Sequence, residues 1–143
     1  MKKVLFTVSG ILLLAFMEGP YKDGQFSGKS RAVYIDEPYY GHARITIEGG
    51  MITRVEFTVR DSAKHEFLNG EYEKYFAGNY FYVQQCRNDL KGIRSYPDSL
   101  LKYQDVSRVD AISGATWSYD IFKASVQEAL KQARKRKKNK EDD

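Results

Sequence analysis

The clearest pattern in the chain lies between Gly41 and Arg60. Ala43, Ile45 and Ile47 alternate with Arg44, Thr46 and Glu48; Val55, Phe57 and Val59 then alternate with Arg54, Glu56, Thr58 and Arg60. Alternation of period two sends successive side chains to opposite faces of a strand, so each segment has one buried and one wet face. Gly49-Gly50 between them suits a two-residue turn that needs positive φ. The spacing predicts an antiparallel hairpin over 43–59. Near the C-terminus the period changes. Ile121, Phe122, Ser125, Val126, Ala129, Leu130 and Ala133 recur at helical spacing and predict a helix from about Ser118 to at least Arg134. Its apolar stripe, carried by Ile121, Phe122, Val126, Ala129 and Leu130, is expected to pack on Ile45, Ile47, Val55 and Phe57.

The segments between are less regular. Tyr21 to Tyr34 reads as a turn at Asp23-Gly24 followed by a strand, and Pro38 with Tyr39-Tyr40 punctuates the next loop. Between Asp61 and Tyr96, the aromatics Tyr72, Tyr75, Phe76, Phe81 and Tyr82 suit short helices broken at Gly70 and Gly78. Val83 to Leu90 reads as helix with Gly92 as its end, and Pro97-Asp98-Ser99 as the start of another short turn. The sum is an α+β domain: a small antiparallel sheet built on the 43–59 hairpin, packed against a long C-terminal helix and short helices.

Met1-Lys2-Lys3 is a positive start, and Val4 to Met17 is an apolar run interrupted by few polar residues. At ~1.5 Å per residue such a helix spans roughly 21 Å, short of the ~30 Å hydrocarbon core. Residues 1–19 therefore read as a signal peptide or N-terminal membrane anchor, although no small-x-small cleavage site follows. Gly19-Pro20 marks the boundary, residues 20–135 form one domain, and 136–143 a charged tail. The length of 143 residues suits one core, not two.

The formal charge of +4 resides in residues 131–143, where seven Lys and Arg stand against three acids; the rest of the chain is balanced. The body is thus not a basic, nucleic-acid-binding surface, and the Lys/Arg run reads as a solvated helix end that complements the helix dipole. Cys86, the single cysteine, permits no intrachain disulfide and no thiolate metal cluster. His42 and His65 are isolated, Ser113 and Ser118 lack a neighbouring His base, and Asp61, Glu66, Glu71 and Glu73 fall on expected loops with nothing pairing them. No catalytic or metal residues are assigned.

The chemistry concentrates at the junction before the closing helix, Asp110-Ala111-Ile112-Ser113-Gly114-Ala115-Thr116, continued by Trp117-Ser118. Small residues at Ser113, Gly114 and Ala115 let the backbone turn tightly and expose amide groups, and a helix N-terminus adds orphan N–H donors and the positive dipole end. Together they form a seat for a phosphate. A plain loop with a Thr or Ser helix cap has the same composition.

Asp110, Ser113, Gly114, Ala115 and Thr116 fit without a gap the signature of the FMN-binding domain family: Asp, two variable positions, Ser or Thr, then Gly-Ala-Thr. Tyr21 to Gly28 and the hairpin at Gly49-Gly50 also resemble that family, which includes flavin-carrying subunits of the sodium-translocating NADH:quinone reductase and Rnf complexes and small exported flavin domains. The resemblance implies FMN as cofactor, linked by a phosphoester to Thr116 by a dedicated flavin transferase outside the cytoplasm. It also implies a cofactor loop of Asp110, Ser113 to Thr116, Trp117 and Ser118. A flavin ring needs aromatic or apolar walls, and Trp117, Tyr119 and the 72–82 aromatics are the candidates.

Two function classes follow. One is an exported electron carrier, periplasmic, extracellular or membrane-anchored and facing outward, with redox proteins of the envelope as partners; an electron-transfer domain fits better than a stand-alone enzyme. The other is a non-redox binding module of the same fold, with FMN absent or loosely held, engaging a protein or membrane partner.

Overall fold

The computed structural model describes residues 19–30 and 36–135. The expected leader and the tail from residue 136 lie outside the described residues. Four strands, β1 (Gly24–Lys29), β2 (Tyr39–Glu48), β3 (Met51–Asp61) and β4 (Glu66–Phe67), form one antiparallel sheet in the order β1-β2-β3-β4. Two helices follow, α1 (Tyr80–Tyr103) and α2 (Thr116–Ala133), with single 3-10 turns at Tyr72–Phe76 and Val106–Arg108. The expected α+β architecture is the one observed.

The hairpin forms as its alternation dictates. Ala43 pairs with Phe57 and Ile45 with Val55, and all four are buried. Gly49 and Gly50 take φ of 60° and 74°, conformations that L side chains rarely adopt. The Asp23 carboxylate accepts both of their amides at 2.8 Å, so Asp23 caps the hairpin turn from outside it. A register shift after Thr46 lets Ile52 and Val55, three positions apart, both reach the core.

Both helices cover the same face of the sheet, α2 over β1 and β2, α1 over β3. Phe57 on β3 meets Phe122 on α2 edge-on at 5.0 Å, and Tyr96 on α1 stacks on Phe122 at 5.5 Å. The expected stripe of α2, from Ile121 to Leu130, is buried throughout.

The middle of the chain differs from its expectation. What reads as short pieces is one helix of 24 residues that runs through both Gly92 and Pro97. Gly92 does not end it; it is the point where α1 touches α2. A Cβ there would stand 2.8 Å from the Ser118 hydroxyl and 3.0 Å from the Ala115 Cβ. Helix packing thus selects the glycine and overrides its low helix propensity. Pro97 lies inside the last two turns, and the helix continues to Tyr103. The Gln104 side chain then ties the helix end to β3, accepting from the Ile52 amide at 2.8 Å and donating to the Ile52 carbonyl at 2.9 Å. Asp61, expected on a loop, is instead the last residue of β3 and is buried, its side chain pointing to the core face that alternation from Val55 assigns it.

Candidate functional site

Residues 110–116 cross the gap between the second 3-10 turn and α2, and a buried tyrosine fixes them from below. The Tyr96 hydroxyl donates to the Ala115 carbonyl at 2.8 Å and accepts from the Ile112 amide at 3.1 Å. Gly114, at φ 81°, turns the chain, and the Gln85 side-chain amide of α1 donates to its carbonyl at 2.9 Å. Ala115 is the residue that caps α2, and its side chain has no cap to offer. The Asp89 carboxylate of α1 substitutes, accepting the Ser118 amide at 3.1 Å. The sequence loop is therefore held by three side chains of α1.

The expected cofactor residues fall into two groups. Ala115 and Ser118 are fully buried; the Ala115 amide bonds to Ile112 and the Ser118 hydroxyl to the Ala115 carbonyl, so both serve the turn. Ser113, Gly114 and Thr116 are exposed on the outer side of the turn, as is Asp110. Thr116 is the first residue of α2 rather than its cap, and among the described residues no partner is found for its hydroxyl or for the amides of Ser113, Gly114, Thr116 and Trp117. Four unpartnered amides and the positive end of an 18-residue helix thus lie beside one free hydroxyl, a donor set that suits a phosphate.

Beside this loop opens a cavity of about 310 Å³. Its walls are apolar and aromatic: Trp117, Tyr39, Tyr72, Phe76, Tyr82 and Leu68. Its polar lining is Glu37, Gln85, Asp89 and the Cys86 thiol, which burial pushes above the usual thiol range. Trp117 stands edge-on to Tyr39 at 5.2 Å and donates its indole N–H to Glu37 at 2.9 Å. Trp117 is the hinge of the whole arrangement, belonging both to the loop and to the cavity wall. Tyr119 takes no part in the cavity and packs on Tyr96 at 5.6 Å.

A second layer lies behind Tyr39. The Tyr72 hydroxyl donates to the buried Asp61 carboxylate at 2.5 Å and lies 3.1 Å from the Tyr39 hydroxyl. Burial opposes the charge on Asp61, but the Tyr72 hydroxyl, the amides of Lys64 and Ala63 and the Lys64 ammonium together hold it below the ordinary carboxylate value. Burial, with the Asp61 bond, pushes Tyr72 far above the usual phenol range, and burial likewise raises Tyr39. Both phenols keep their protons. Nothing in the local sequence announces Glu37, Tyr39 or Asp61. Tyr82, Gln85, Cys86 and Asp89, however, recur at i, i+3, i+4 and i+7, one face of a helix, and that spacing was a usable signal. Among the described residues no group of three His, Cys, Asp or Glu side chains is placed to hold a metal ion.

Fold and site together define a small domain with unpartnered amides at a helix start and an aromatic cavity next to it. Residues 41–131 match the family model of the FMN-binding domain, and the chain belongs to that family. FMN is the cofactor the family implies. A crystal structure of a Clostridium perfringens protein is similar, with a TM-score of 0.63 over 79% of this chain and 88% of that one; at 22% identity the likeness concerns the fold. No curated protein matches.

The residues present fit FMN. Ser113, Gly114, Thr116 and Trp117 would supply amides to the phosphate, and the cavity walls of Trp117, Tyr39, Phe76 and Tyr82 would flank the ring. Bound there, the flavin supplies the capacity to take up and release electrons; the chain binds, orients and shields it.

Proposed function

We propose that this protein is an exported electron carrier whose FMN is held by a phosphoester on Thr116. The observation that carries the reading is the position of the Thr116 hydroxyl, free and exposed at the first residue of α2, among unpaired amides and next to the aromatic cavity. In the attachment step the Thr116 oxygen gives up its proton to the transferase's base and bonds to the flavin-side phosphorus of a flavin dinucleotide, while the pyrophosphate P–O bond breaks and a nucleoside monophosphate leaves. A flavin transferase supplies the base and the metal, so the carrier has only to present a hydroxyl. The basic start and apolar run of residues 1–17 support export, through a cleaved signal or a retained membrane anchor. Envelope redox proteins are the partners this reading requires.

The test is intact mass, with in-gel fluorescence of the denatured band, for the protein co-expressed with a flavin transferase in an exporting host. The expected result is one FMN-phosphoester increment, absent from Thr116→Val, which keeps the shape and removes the hydroxyl. A wild-type protein without the increment overturns the covalent reading. The alternative is then a binding module of the same fold, and the side chains Tyr80 and Phe81, 80% and 73% exposed at the start of α1, are the observation that favours it.

A further inference from the structure

The hydrogen-bond directions around the cavity can be assigned from the buried end outward. Asp61 can only accept, and the Tyr72 proton lies on the bond to it. With that proton committed, the Tyr72 oxygen can only accept from Tyr39, so the 3.1 Å contact between the two hydroxyls runs from Tyr39 to Tyr72. Tyr39 therefore commits its proton to Tyr72, and what its oxygen has left to offer a ligand is a lone pair. The other strong donors of the lining are committed as well. Both Gln85 amide hydrogens are used, one on Asp89 at 2.9 Å and one on the Gly114 carbonyl, which leaves its oxygen. The Trp117 N–H is on Glu37. Among the lining side chains of the described residues, acceptors remain on Tyr39, Gln85, Asp89 and Glu37; the uncommitted side-chain donors are the weak Cys86 thiol and the Tyr82 hydroxyl at the exposed rim.

We propose that this acceptor-lined cavity selects the reduced over the oxidised form of a flavin ring, with Tyr39 as the contacting residue and Tyr72 and Asp61 as the positioning residues that fix its polarity. The inference rests on the reading of the cavity as the ring's seat, but not on covalent attachment. On reduction the ring takes up two electrons and two protons, and its N1 and N5 change from bare acceptors to N–H donors. At N1 and N5 the oxidised ring presents bare nitrogens to side chains that mostly accept, and the reduced ring presents N–H groups to them; the N3–H and the carbonyls are the same in both states. Leaving a buried acceptor facing an acceptor forfeits the bond on both sides. A tenfold preference for the reduced form raises the two-electron potential by about 30 mV over the free ring.

The experiment uses the full chain made without a flavin transferase and riboflavin as the probe, so that neither phosphate nor covalent bond contributes. Anaerobic calorimetry measures the affinity for riboflavin before and after reduction with dithionite. Wild type is expected to bind the reduced probe at least about tenfold more tightly, the discrimination of one buried hydrogen bond. Tyr39→Phe should bring the ratio down toward one. Asp61→Asn is the sharper variant. Its amide can donate to the Tyr72 oxygen, which frees the Tyr72 proton for Tyr39 and turns the Tyr39 proton into the cavity. Affinity for oxidised riboflavin should then rise while affinity for the reduced form falls, a crossing that loss of packing cannot produce. Equal affinities in wild type, or a parallel loss of both in the variants, overturns the proposal. Failure of both forms to bind overturns it too, whereas the mass increment on Thr116 reports separately on covalent attachment.

Discussion

Tyr96 and Ala115 lie 19 residues apart in sequence, yet the phenol of one donates to the carbonyl of the other in the interior of the protein. The same hydroxyl accepts the Ile112 amide, so one side chain of α1 fixes both ends of the turn that presents Thr116. Tyr96→Phe keeps the ring stacked on Phe122 and removes only this tie. The Ala115 carbonyl retains the Ser118 hydroxyl and the Tyr119 amide, but the Ile112 amide loses its partner. The expected loss is about 1–3 kcal/mol in denaturant unfolding, together with faster hydrogen exchange at residues 112–115. Unchanged exchange would show that the loop does not depend on Tyr96.

The core contact between Phe57 and Phe122 gives a larger effect. Phe122 is fully buried between the sheet and Tyr96, so Phe122→Ala removes a ring from a site that two rigid layers cannot close. A destabilisation of about 3–5 kcal/mol is expected, read as a shift of the urea midpoint at constant slope. A loss below about 1 kcal/mol would mean that α2 moves in to fill the space.

The sequence makes this layer of the molecule legible and hides the next one. Alternation at 43–59 and helical spacing at 121–133 are local patterns, and each element formed where its pattern lies. Gly92 and Pro97 misled because local propensity does not record what a residue touches: the glycine makes room for Ser118 and Ala115, which come from a distant segment. The loop from Asp110 to Thr116 was visible through its motif. Its support was not, because Gln85, Asp89 and Tyr96 act across the interface between α1 and α2. The chain from Asp61 through Tyr72 to Tyr39 joins three separate elements, and no spacing in the sequence encodes it.

Asp61 also sets a pH dependence. Its carboxyl is held below its ordinary value of 3.8 in the folded protein. A depressed carboxyl contributes stability that is complete above the unfolded value and is lost as pH falls through the folded one. The stability difference between wild type and Asp61→Asn should therefore be constant from neutrality down to about 3.8 and shrink below it. Asp23, Glu73 and Asp105 are depressed as well, by their hydrogen bonds, and are common to both proteins, so they cancel in the difference; Glu66, depressed by the Tyr75 hydroxyl, feels the Asp61 charge and titrates with it. A gap that stays constant through the acid limb would remove Asp61 from this role.

Gly114 separates backbone conformation from simple crowding at the phosphate seat. Its φ of 81° is costly for any residue with a Cβ, about 1–2 kcal/mol. An added Cβ would also meet the Asn88 side-chain nitrogen at 2.7 Å, but that atom ends a side chain able to swing aside. Strain in the backbone should therefore dominate. Gly114→Ala is expected to lower the melting temperature modestly and to reduce flavin loading on Thr116 much more, because relaxing φ re-aims the amides of Ser113, Gly114 and Thr116 while the buried contacts of Ala115 and Ser118 hold the fold. Adding Asn88→Ala removes the contact without changing the required φ, so the double variant should load no better than Gly114→Ala alone. Full recovery of loading in the double variant would show that crowding by Asn88, not the left-handed turn, is what keeps a glycine at this position.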